Sequence, residues 1–345
     1  MKIVADRNIP FLQGVFEPYA EVVYLDGKAI ARKDLLDADV LLTRTRTRCN
    51  AALLDGTSVR MISTATIGTD HIDLAYCMEH GIEVANAAGC NAGGVMDYVF
   101  SALYAIASRK SIRLQGKTFG VVGVGHVGSR VADMAQKLGF KVLLCDPPRA
   151  RREGQEGFCT LDALLAESDI VTMHTPLDAT TQQMCDAAFF SKIRPDAVFI
   201  NASRGEVVDE NALFHAIPKL GAVVIDTWCR EPEINRALLD AVDIATPHIA
   251  GYSYQGKQNG TALAVRSVAR RYGIETLYDF HPETGIPELL PIRLNVEGLS
   301  QGEIASVFQY NYPIFTDDFL FRLDPSRFEE IRAGYQYRRE FYLGQ

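Results

Sequence analysis

The sequence predicts an α/β protein in which two doubly wound parallel sheets are followed by a small α+β domain. Three observations support this fold class. Short apolar segments alternate with helical segments over residues 1–90, and a glycine-rich strand–helix–strand unit follows between Lys117 and Asp146. A tail punctuated by prolines then begins near Ile274. A chain of 345 residues is too long for one ordinary core and suits two or three domains.

In the first region, short apolar segments have the length and composition of strands. Helical segments at 31–36 and 71–80 would form crossovers between them, and such crossovers are typical of an open parallel sheet. A long helix at 91–109 would lead into the next domain, and a helix at 252–273 would lead back. The predicted strands are 2–6, 21–25, 40–43, 59–63 and 82–85.

The tail from about Ile274 contains predicted secondary structure and is not expected to be a flexible terminus. Residues 292–297 alternate like a half-exposed strand. Asp324-Pro325 is typical of an N-cap followed by a first-turn proline, which predicts a helix over 326–341. We expect this segment to make contacts between subunits.

Composition and charge exclude several classes of function. Hydrophobic residues make up 48% and charged residues 23% of the chain, and the formal charge is −8, which disfavours a nucleic-acid partner. No apolar run approaches the ~18 residues that a membrane span needs. The seven cysteines form no Cys-x-x-Cys pair, which predicts reduced thiols in a cytoplasmic protein and no metal site.

The glycine-rich unit predicts a dinucleotide site. Gly123-Val124-Gly125-His126-Val127-Gly128 follows the apolar strand 118–122 and leads into a helix predicted at 129–138. The glycines permit a tight turn, a close approach of the backbone to a pyrophosphate, and close packing of helix on strand. The alternative is a glycine-rich turn with a capping aspartate, which the surrounding strand, helix and acid disfavour.

Asp146 suggests which cofactor binds. It ends the next strand, 141–145, and lies 18 positions after Gly128 (146 − 128). A carboxylate there can accept hydrogen bonds from a ribose diol and would repel the 2′-phosphate of NADP, so NAD is expected. Arg149, three positions on, could soften this preference because arginine accommodates that phosphate.

Polar residues follow each of the later predicted strands at its carboxyl end. The apolar segments 169–173, 197–200, 222–225 and 244–245 are followed by His174-Thr175, Asn201 to Gly205, Asp226, and Thr246-Pro247-His248, respectively. Ligands of open α/β sheets bind outside this edge. We therefore expect Thr175, Arg204, Asp226 and His248 to line one crevice beside the cofactor.

Three residues of this region have the chemical types that oxidation of a hydroxy acid requires. His248 can take the hydroxyl proton, and Glu231 could hold its other ring nitrogen. Arg204 can bind a carboxylate through two parallel hydrogen bonds. Taken singly, they could be a loop histidine, a surface carboxylate and a helix-entry arginine. Their joint placement after successive strands favours catalysis.

These motifs resemble the D-isomer-specific 2-hydroxyacid dehydrogenase family over almost all of the first 270 residues. The resemblance implies a flavodoxin-like substrate domain at 1–92 with 253–273, a Rossmann NAD domain at 93–252, and a C-terminal dimerisation domain at 274–345. It also implies that Arg204, Glu231 and His248 are catalytic. The matching segments are 68–73, 122–128, 174–177, 204–210, 231–233 and 246–251. The implied cofactor contacts are Gly123, Gly125, His126, Val127, Gly128, Asp146, Thr175, Ala202, Ser203, Arg204, Asp226 and Gly251.

A narrower resemblance, to one branch of that family, rests on residues 63–71, 231–235, 248–257 and the extra C-terminal domain. It implies a small phosphorylated 2-hydroxy acid as substrate, a homodimer, and substrate contacts at Thr45, Thr66 and Tyr252. Two alternatives remain open. One is another dehydrogenase of the family, acting on 3-phosphoglycerate or on glyoxylate and hydroxypyruvate. The other is a regulator that senses NAD without turning over a substrate.

The residues themselves suggest a phosphate site. Thr43-Arg44-Thr45-Arg46-Thr47-Arg48 follows a predicted strand, and an extended backbone would place the arginines on one face and the threonines on the other. Arginine and threonine at a strand end suit a dianionic phosphate. Arg44, nearest the strand, is the preferred candidate. The alternative is a solvated basic edge.

Overall fold

The computed structural model describes residues 1–283 and 289–344, and the chain divides into two compact units. The first comprises Met1–Asn91 with Ser253–Leu290, and the second comprises Ala92–Tyr252 with Pro291–Gln345. Within the described ranges, no helix has both the length and the apolar character that crossing a bilayer requires.

The first unit is built on a parallel sheet with strand order β2-β1-β3-β4-β5. Apolar residues cover both faces, and the helix Tyr254–Tyr272 supplies Val265 and Val268 to one of them. This is the expected pattern for a doubly wound sheet. The strands are Lys2–Asp6 (β1), Glu21–Leu25 (β2), Val40–Thr43 (β3), Met61–Thr64 (β4) and Glu83–Asn86 (β5).

The helices of the first unit are shorter than the sequence suggests. The predicted helix at 31–36 is only a 3-10 turn, and the one at 71–80 is confined to the segment after its N-cap Asp73. The returning helix is well defined, because Ser253 caps its start and Gly273, at φ 70°, ends it. The helical segments are Arg32–Asp34 (3-10), Ala51–Leu54, Leu74–Glu79, Tyr254–Tyr272 and Glu275–Leu277 (3-10).

The second unit contains a parallel sheet with strand order β11-β10-β9-β8-β6-β7. The order reverses at β6, so the crevice at its carboxyl end is where such sheets bind ligands. The strands are Thr118–Val122 (β6), Lys141–Cys145 (β7), Ile170–Met173 (β8), Val198–Asn201 (β9), Ala222–Ile225 (β10) and Ile244–Ala245 (β11).

Helices cover both faces of this sheet, as the predicted fold class requires. The helix after the glycine motif begins at His126 and not at Ser129, so part of the motif is itself helical. The helix that follows Asp209 ends before Pro218, which lies in a 3-10 turn. The helical segments are Ala92–Lys110, His126–Lys137, Pro147–Glu153, Leu161–Glu167, Ala187–Lys192, Gly205–Val207 (3-10), Glu210–Ala216, Ile217–Lys219 (3-10) and Arg236–Ala241.

The C-terminal segment differs from its predicted form. The predicted helix over 326–341 is wrong: an α-helix ends before Gly334, and residues 341–343 form a strand in which Phe341 and Leu343 are buried while Tyr342 is exposed. The predicted strand at 292–297 is also shorter. The elements are Ile292–Leu294 (β12), Gln301–Asn311, Ile314–Leu323, Pro325–Arg327 (3-10), Phe328–Ala333 and Phe341–Leu343 (β13), and β12 pairs in parallel with β13.

Residues 291–344 share a hydrophobic core with the helix Ala92–Lys110. The fully buried ring of Phe308 lies 5.1 Å from Tyr104 and 5.2 Å from Phe341, measured between centroids. The separate domain proposed for 274–345 and its role in dimerisation stay predictions, and residues 284–288 and 345 of it lie outside the described residues.

Phe308→Ala should lower the free energy of unfolding by about 3–5 kcal/mol, because it opens a cavity where three aromatic rings meet. Denaturant titration measures this change. Tyr310→Ala on the same helix is the matched control, since Tyr310 is 89% exposed and its removal should leave stability nearly unchanged. Equal stability of the two variants would show that the C-terminal segment does not belong to this core.

Candidate active site

His248 and Glu231 form a hydrogen-bonded pair in the second unit. The Nδ1 atom of His248 lies 2.8 Å from Oε2 of Glu231, and the two side chains are 27% and 18% exposed. This bond uses Nδ1 and leaves Nε2 as the ring nitrogen available for proton transfer. The predicted partnership of these residues is therefore present as a direct contact.

Trp228 holds the two loops of this pair together. Its backbone N–H donates to Oε1 of Glu231 at 2.9 Å, and its buried indole N–H donates to the carbonyl of Thr246 at 2.9 Å. One residue thus fixes both the carboxylate and the loop that carries His248. Trp228 is not among the residues predicted from the sequence, although its place two positions after Asp226 was the available signal.

The carboxylate of Glu231 remains ionised despite its burial. Burial alone would raise its pKa, but the charge of His248 and the hydrogen bonds from His248 and from the Trp228 N–H hold the pKa below its ordinary value. The carboxylate of Glu231 and the protonated ring of His248 therefore stabilise each other's charge.

Asp226 organises the loop that bears His248. Its fully buried carboxylate accepts hydrogen bonds from the Thr246 hydroxyl at 2.7 Å, from the Ile249 N–H at 2.8 Å and from the Ala250 N–H at 3.0 Å. Burial raises the pKa of Asp226, and the charge of His248 and these bonds oppose that rise. Its predicted contact with the cofactor stays a prediction.

The backbone of His248 is held in an unusual conformation. Its φ of 56° lies in the left-handed region, which carries a conformational penalty of ~1–3 kcal/mol for a residue with a side chain. The His248 N–H donates to the carbonyl of Asp226 at 2.8 Å, so the surrounding bonds impose this conformation. Strained residues of this kind cluster at functional sites.

Arg204 is placed by the polar residues at the end of β9. The buried Asn201 side chain donates to the carbonyl of Arg204 at 3.0 Å and accepts from the Ser203 N–H and hydroxyl at 3.1 and 2.8 Å. The Arg204 Nη1 donates to the carbonyl of Ser203 at 2.8 Å. This turn therefore has a fixed shape. Ala202 and Ser203, predicted to contact the cofactor, lie within it.

Gly205 brings the Arg204 turn next to the loop of Glu231. A Cβ atom at Gly205 would lie 2.0 Å from the carbonyl carbon of Trp228 and 2.4 Å from the Cys229 nitrogen. Only glycine permits this approach of the two backbones. Because β9, β10 and β11 are adjacent and parallel, the residues that follow them emerge at one edge of the sheet.

The glycine motif forms a tight turn that leaves space above it. Gly123 has φ 85°, and a Cβ at Gly128 would lie 1.9 Å from the Gly123 carbonyl oxygen. A Cβ at Gly125, in contrast, would meet no heavy atom within 4 Å. The buried Thr175 hydroxyl has no hydrogen-bond partner among the residues described. Open space at Gly125 and an unused hydroxyl fit a bound pyrophosphate cofactor.

Asp146 caps a helix and also holds the glycine turn. Its Oδ1 accepts from the Arg149 N–H and its Oδ2 from the Val124 N–H, both at 2.8 Å. The Arg149 guanidinium bonds to the Val124 carbonyl at 2.8 Å and to Glu153 at 2.6 Å. Asp146 is therefore a helix cap, as the alternative interpretation of the motif expected. Its carboxylate still has lone pairs that can accept hydrogen bonds from a ribose.

The remaining predicted cofactor residues lie in the same unit. His126 and Val127 begin the helix that follows the glycine turn, and Gly251 lies in the turn after Ala250. Their individual contacts with NAD stay predictions.

The predicted alternation of Thr43 to Arg48 is wrong. The strand ends at Thr43, and residues 45–47 form a turn. The reason is local bonding: the Thr47 hydroxyl is buried and donates to the Gly27 carbonyl at 2.9 Å, which pulls the chain out of an extended path. Arg44 is half-buried and donates to the Asn8 carbonyl at 2.8 Å, while Thr45 is exposed.

The other predicted substrate residues lie in different units. Thr66 belongs to the first unit, where its hydroxyl lies 2.7 Å from the Thr64 hydroxyl. Tyr252 belongs to the second, where its ring makes edge contacts with Tyr335 and Tyr337 at 6.1 and 6.4 Å between centroids. This contact of Tyr252 with the C-terminal segment was not predicted, because a continuous helix was expected over 326–341.

Comparison with known proteins agrees with this geometry. A sequence profile described as "D-isomer specific 2-hydroxyacid dehydrogenase, NAD binding domain" matches residues 102–250. An erythronate-4-phosphate dehydrogenase of Bacteroides fragilis is 42% identical over 347 residues, covering 99% of this chain and 97% of the relative. One of Yersinia pestis is 40% identical over 350 residues, covering 99% and 93%.

The chain belongs to the D-isomer-specific 2-hydroxyacid dehydrogenase family. It is an NAD-dependent dehydrogenase, as predicted. The NAD-bound 3-phosphoglycerate dehydrogenase of Entamoeba histolytica has the same fold, with a TM-score of 0.66 at 24% identity over 81% of this chain and 97% of that one. The predicted fold class is confirmed.

Gly125→Ala and Gly128→Ala should separate cofactor binding from folding. A methyl group at Gly125 meets no protein atom but occupies the space that a pyrophosphate needs, so the melting temperature without NAD should stay the same while NAD affinity falls. A methyl group at Gly128 collides with the Gly123 carbonyl, so the melting temperature and the NAD affinity should both fall. Thermal melts and calorimetric titration with NAD measure the two effects. Unchanged NAD affinity in Gly125→Ala would contradict this assignment.

Proposed function

We propose that the protein oxidises 4-phospho-D-erythronate to (R)-3-hydroxy-2-oxo-4-phosphooxybutanoate with NAD, as a step of pyridoxal 5′-phosphate biosynthesis. The observation that carries the proposal is the bonded pair of His248 and Glu231 beside the Arg204 turn. The names of the near-full-length relatives support the choice of substrate.

In the proposed reaction, NAD held at the glycine turn would supply the acceptor for the hydride that leaves C2 of the substrate. The Nε2 of His248 takes the proton of the C2 hydroxyl, so that a carbonyl forms at C2. Glu231 stabilises the resulting imidazolium through the bond at Nδ1 and fixes the orientation of the ring. Arg204 binds the substrate carboxylate and holds C2 in place.

The Glu231 carboxylate suits this task because it stabilises the charge that His248 gains with the proton. Burial would raise the pKa of Glu231, but the charge of His248 and the hydrogen bonds from His248 and Trp228 hold the pKa low, so the carboxylate and the imidazolium favour each other's charged form. The bond from the Trp228 N–H keeps that anion in place. Preorganised charge of this kind is more effective than charge that must reorient during the reaction.

We further propose that Arg44, Thr45, Thr66 and Tyr252 contact the substrate, with Arg44 at the phosphate. Support comes from the half-buried guanidinium of Arg44 at the end of β3, where one Nη atom is used by the Asn8 carbonyl and further donors remain.

A homodimer through the C-terminal segment is also proposed. The helix Ile314–Leu323 exposes Phe319, Leu320 and Leu323, with exposed fractions of 59, 49 and 64%. Exposed apolar side chains grouped on one helix are typical of a subunit interface.

Purified protein should produce NADH, measured by absorbance, when supplied with NAD and 4-phospho-D-erythronate. His248→Ala should reduce turnover by roughly 10²–10⁴-fold, the contribution of a positioned general base, with NAD affinity nearly unchanged. Activity on 3-phosphoglycerate or hydroxypyruvate instead would reject the proposed substrate. Equal loss of turnover and NAD affinity in His248→Ala would show that the residue is structural.

Arg44→Ala should weaken binding of the phosphorylated acid by roughly 10-fold or more, since it removes a charged hydrogen-bond donor. Binding of D-erythronate, which lacks the phosphate, should change much less. Arg48→Ala is the matched control, because Arg48 is an exposed arginine of the same segment. Michaelis constants for both acids, with a thermal melt of each variant, decide the matter. Equal weakening for both acids would remove Arg44 from the phosphate site.

A further inference from the structure

The helix Phe328–Ala333 is anchored beneath the loop of Glu231. Phe328 is fully buried, and its ring lies 5.6 Å from that of Phe321, which in turn lies 6.3 Å from Trp228. Ile331 packs against the same core. The helix therefore has a fixed position relative to Trp228, the residue that also binds the Glu231 carboxylate.

Arg332, on this helix, has a buried donor without an acceptor. Its Nε–H is buried and has no hydrogen-bond partner within the part of the chain that the structure describes. Its ion pair with Glu329 is weak: Nη1 of Arg332 lies 3.9 Å from Oε1 of Glu329, which is 46% exposed. An unused buried donor carries a penalty that native structures normally avoid. The geometry therefore suggests an acceptor that arrives with a ligand.

Arg338, six positions after Arg332, is a structural arginine of the same segment, because its guanidinium bonds to neighbouring side chains of the fold. Its Nη2 lies 2.8 Å from both carboxylate oxygens of Asp317, and its Nε donates to the Tyr335 hydroxyl at 2.6 Å. The guanidinium also lies 4.5 Å from the centre of the Tyr312 ring. Arg338 is thus fully engaged within the fold, whereas Arg332 is not.

The surroundings of Arg332 are those of the active site. Burial would lower its pKa, but the charges of the nearby Tyr252 phenol, when ionised, and of the carboxylates of Glu231, Glu329 and Asp226 raise the pKa above its ordinary value. Contact between the Tyr335 and Tyr252 rings shows independently that the chain just after this helix lies against Tyr252. Arg332 is therefore a permanent cation close to both the general-base pair and the proposed substrate residue.

We propose that Arg332 is a substrate-binding residue, whose guanidinium donates hydrogen bonds to anionic oxygens of the phosphorylated 2-hydroxy acid. The acceptor is the phosphate or the carboxylate of the substrate. Comparing how Arg332 variants bind the acid with and without its phosphate distinguishes the two. The proposal rests on the proposed function, and it gives the C-terminal segment a part in substrate specificity in addition to its structural role.

The test uses the full-length protein with three variants. Arg332→Met removes the charge, and Arg332→Lys keeps the charge but loses the forked donors. Arg327→Met is the matched control, because Arg327 is 55% exposed and pairs with Glu330. Michaelis constants are measured for 4-phospho-D-erythronate and D-erythronate. Calorimetric binding of both acids to the NADH-loaded protein is measured in parallel, with a thermal melt of each variant.

Arg332→Met should weaken binding of the phosphorylated acid by roughly 10- to 100-fold, the range for losing a hydrogen bond to a charged group, and Arg332→Lys by less. A loss confined to the phosphorylated acid identifies the phosphate as the acceptor, and an equal loss for both acids identifies the carboxylate. Arg327→Met should leave both acids unaffected.

Two results would overturn the proposal. One is unchanged binding of both acids in Arg332→Lys and Arg332→Met. The other is a fall in kcat with unchanged Michaelis constants, which would show that Arg332 serves only Glu231. If Arg332→Met does not fold, the binding data for Arg332→Lys decide alone. Absence of turnover by the wild-type protein would reject the proposed function, while the binding measurements would still test Arg332.

Discussion

The buried carboxylate of Asp226 and the loop 246–250 stabilise each other, and the position of His248, the proposed general base, depends on this arrangement. A carboxylate removed from water needs hydrogen bonds to its oxygens. Here the donors come from Thr246, Ile249 and Ala250, which lie on both sides of His248. The bonds that offset the cost of burying the Asp226 charge also hold His248 at its positive φ. Folding of this loop therefore determines where the His248 side chain lies.

The second constraint is Trp228, which couples Glu231 to the loop that carries His248. Its backbone fixes Glu231 and its indole fixes the start of the His248 loop, so neither member of the pair can shift without breaking a bond of 2.9 Å. Gly205 extends this coupling to the Arg204 turn, because the two backbones are in contact there. Rigid elements thus place all three loops, which is the condition for a preorganised site.

Local periodicity and motif spacing predicted the parallel sheets, the glycine turn and the pairing of His248 with Glu231, since each depends on short-range pattern or on strand order. Two predictions failed where distant contacts override local pattern. Thr47 turns the chain after β3 because its hydroxyl reaches Gly27. The C-terminal helix ends before Gly334, a residue that disfavours continuation of a helix. Phe341 then packs in the core beside Phe308, and no feature of residues 326–341 alone encodes that partner.

The charges of the site explain why a C-terminal segment would be useful to such an enzyme. Glu231 is held as an anion beside the proposed substrate site, and the proposed phosphorylated hydroxy acid would bring a carboxylate and a phosphate of ~−1.5 to −2 charge. Like charges at short range repel strongly when partly shielded from water. In the proposed site, Arg204 offsets the charge of the carboxylate and Arg44 that of the phosphate, but neither offsets the charge of Glu231. The guanidinium of Arg332, near Glu231, would lower this repulsion without disturbing the bond between His248 and Glu231. The helix that carries Arg332 packs in the same hydrophobic core as Trp228, which keeps the guanidinium in that position.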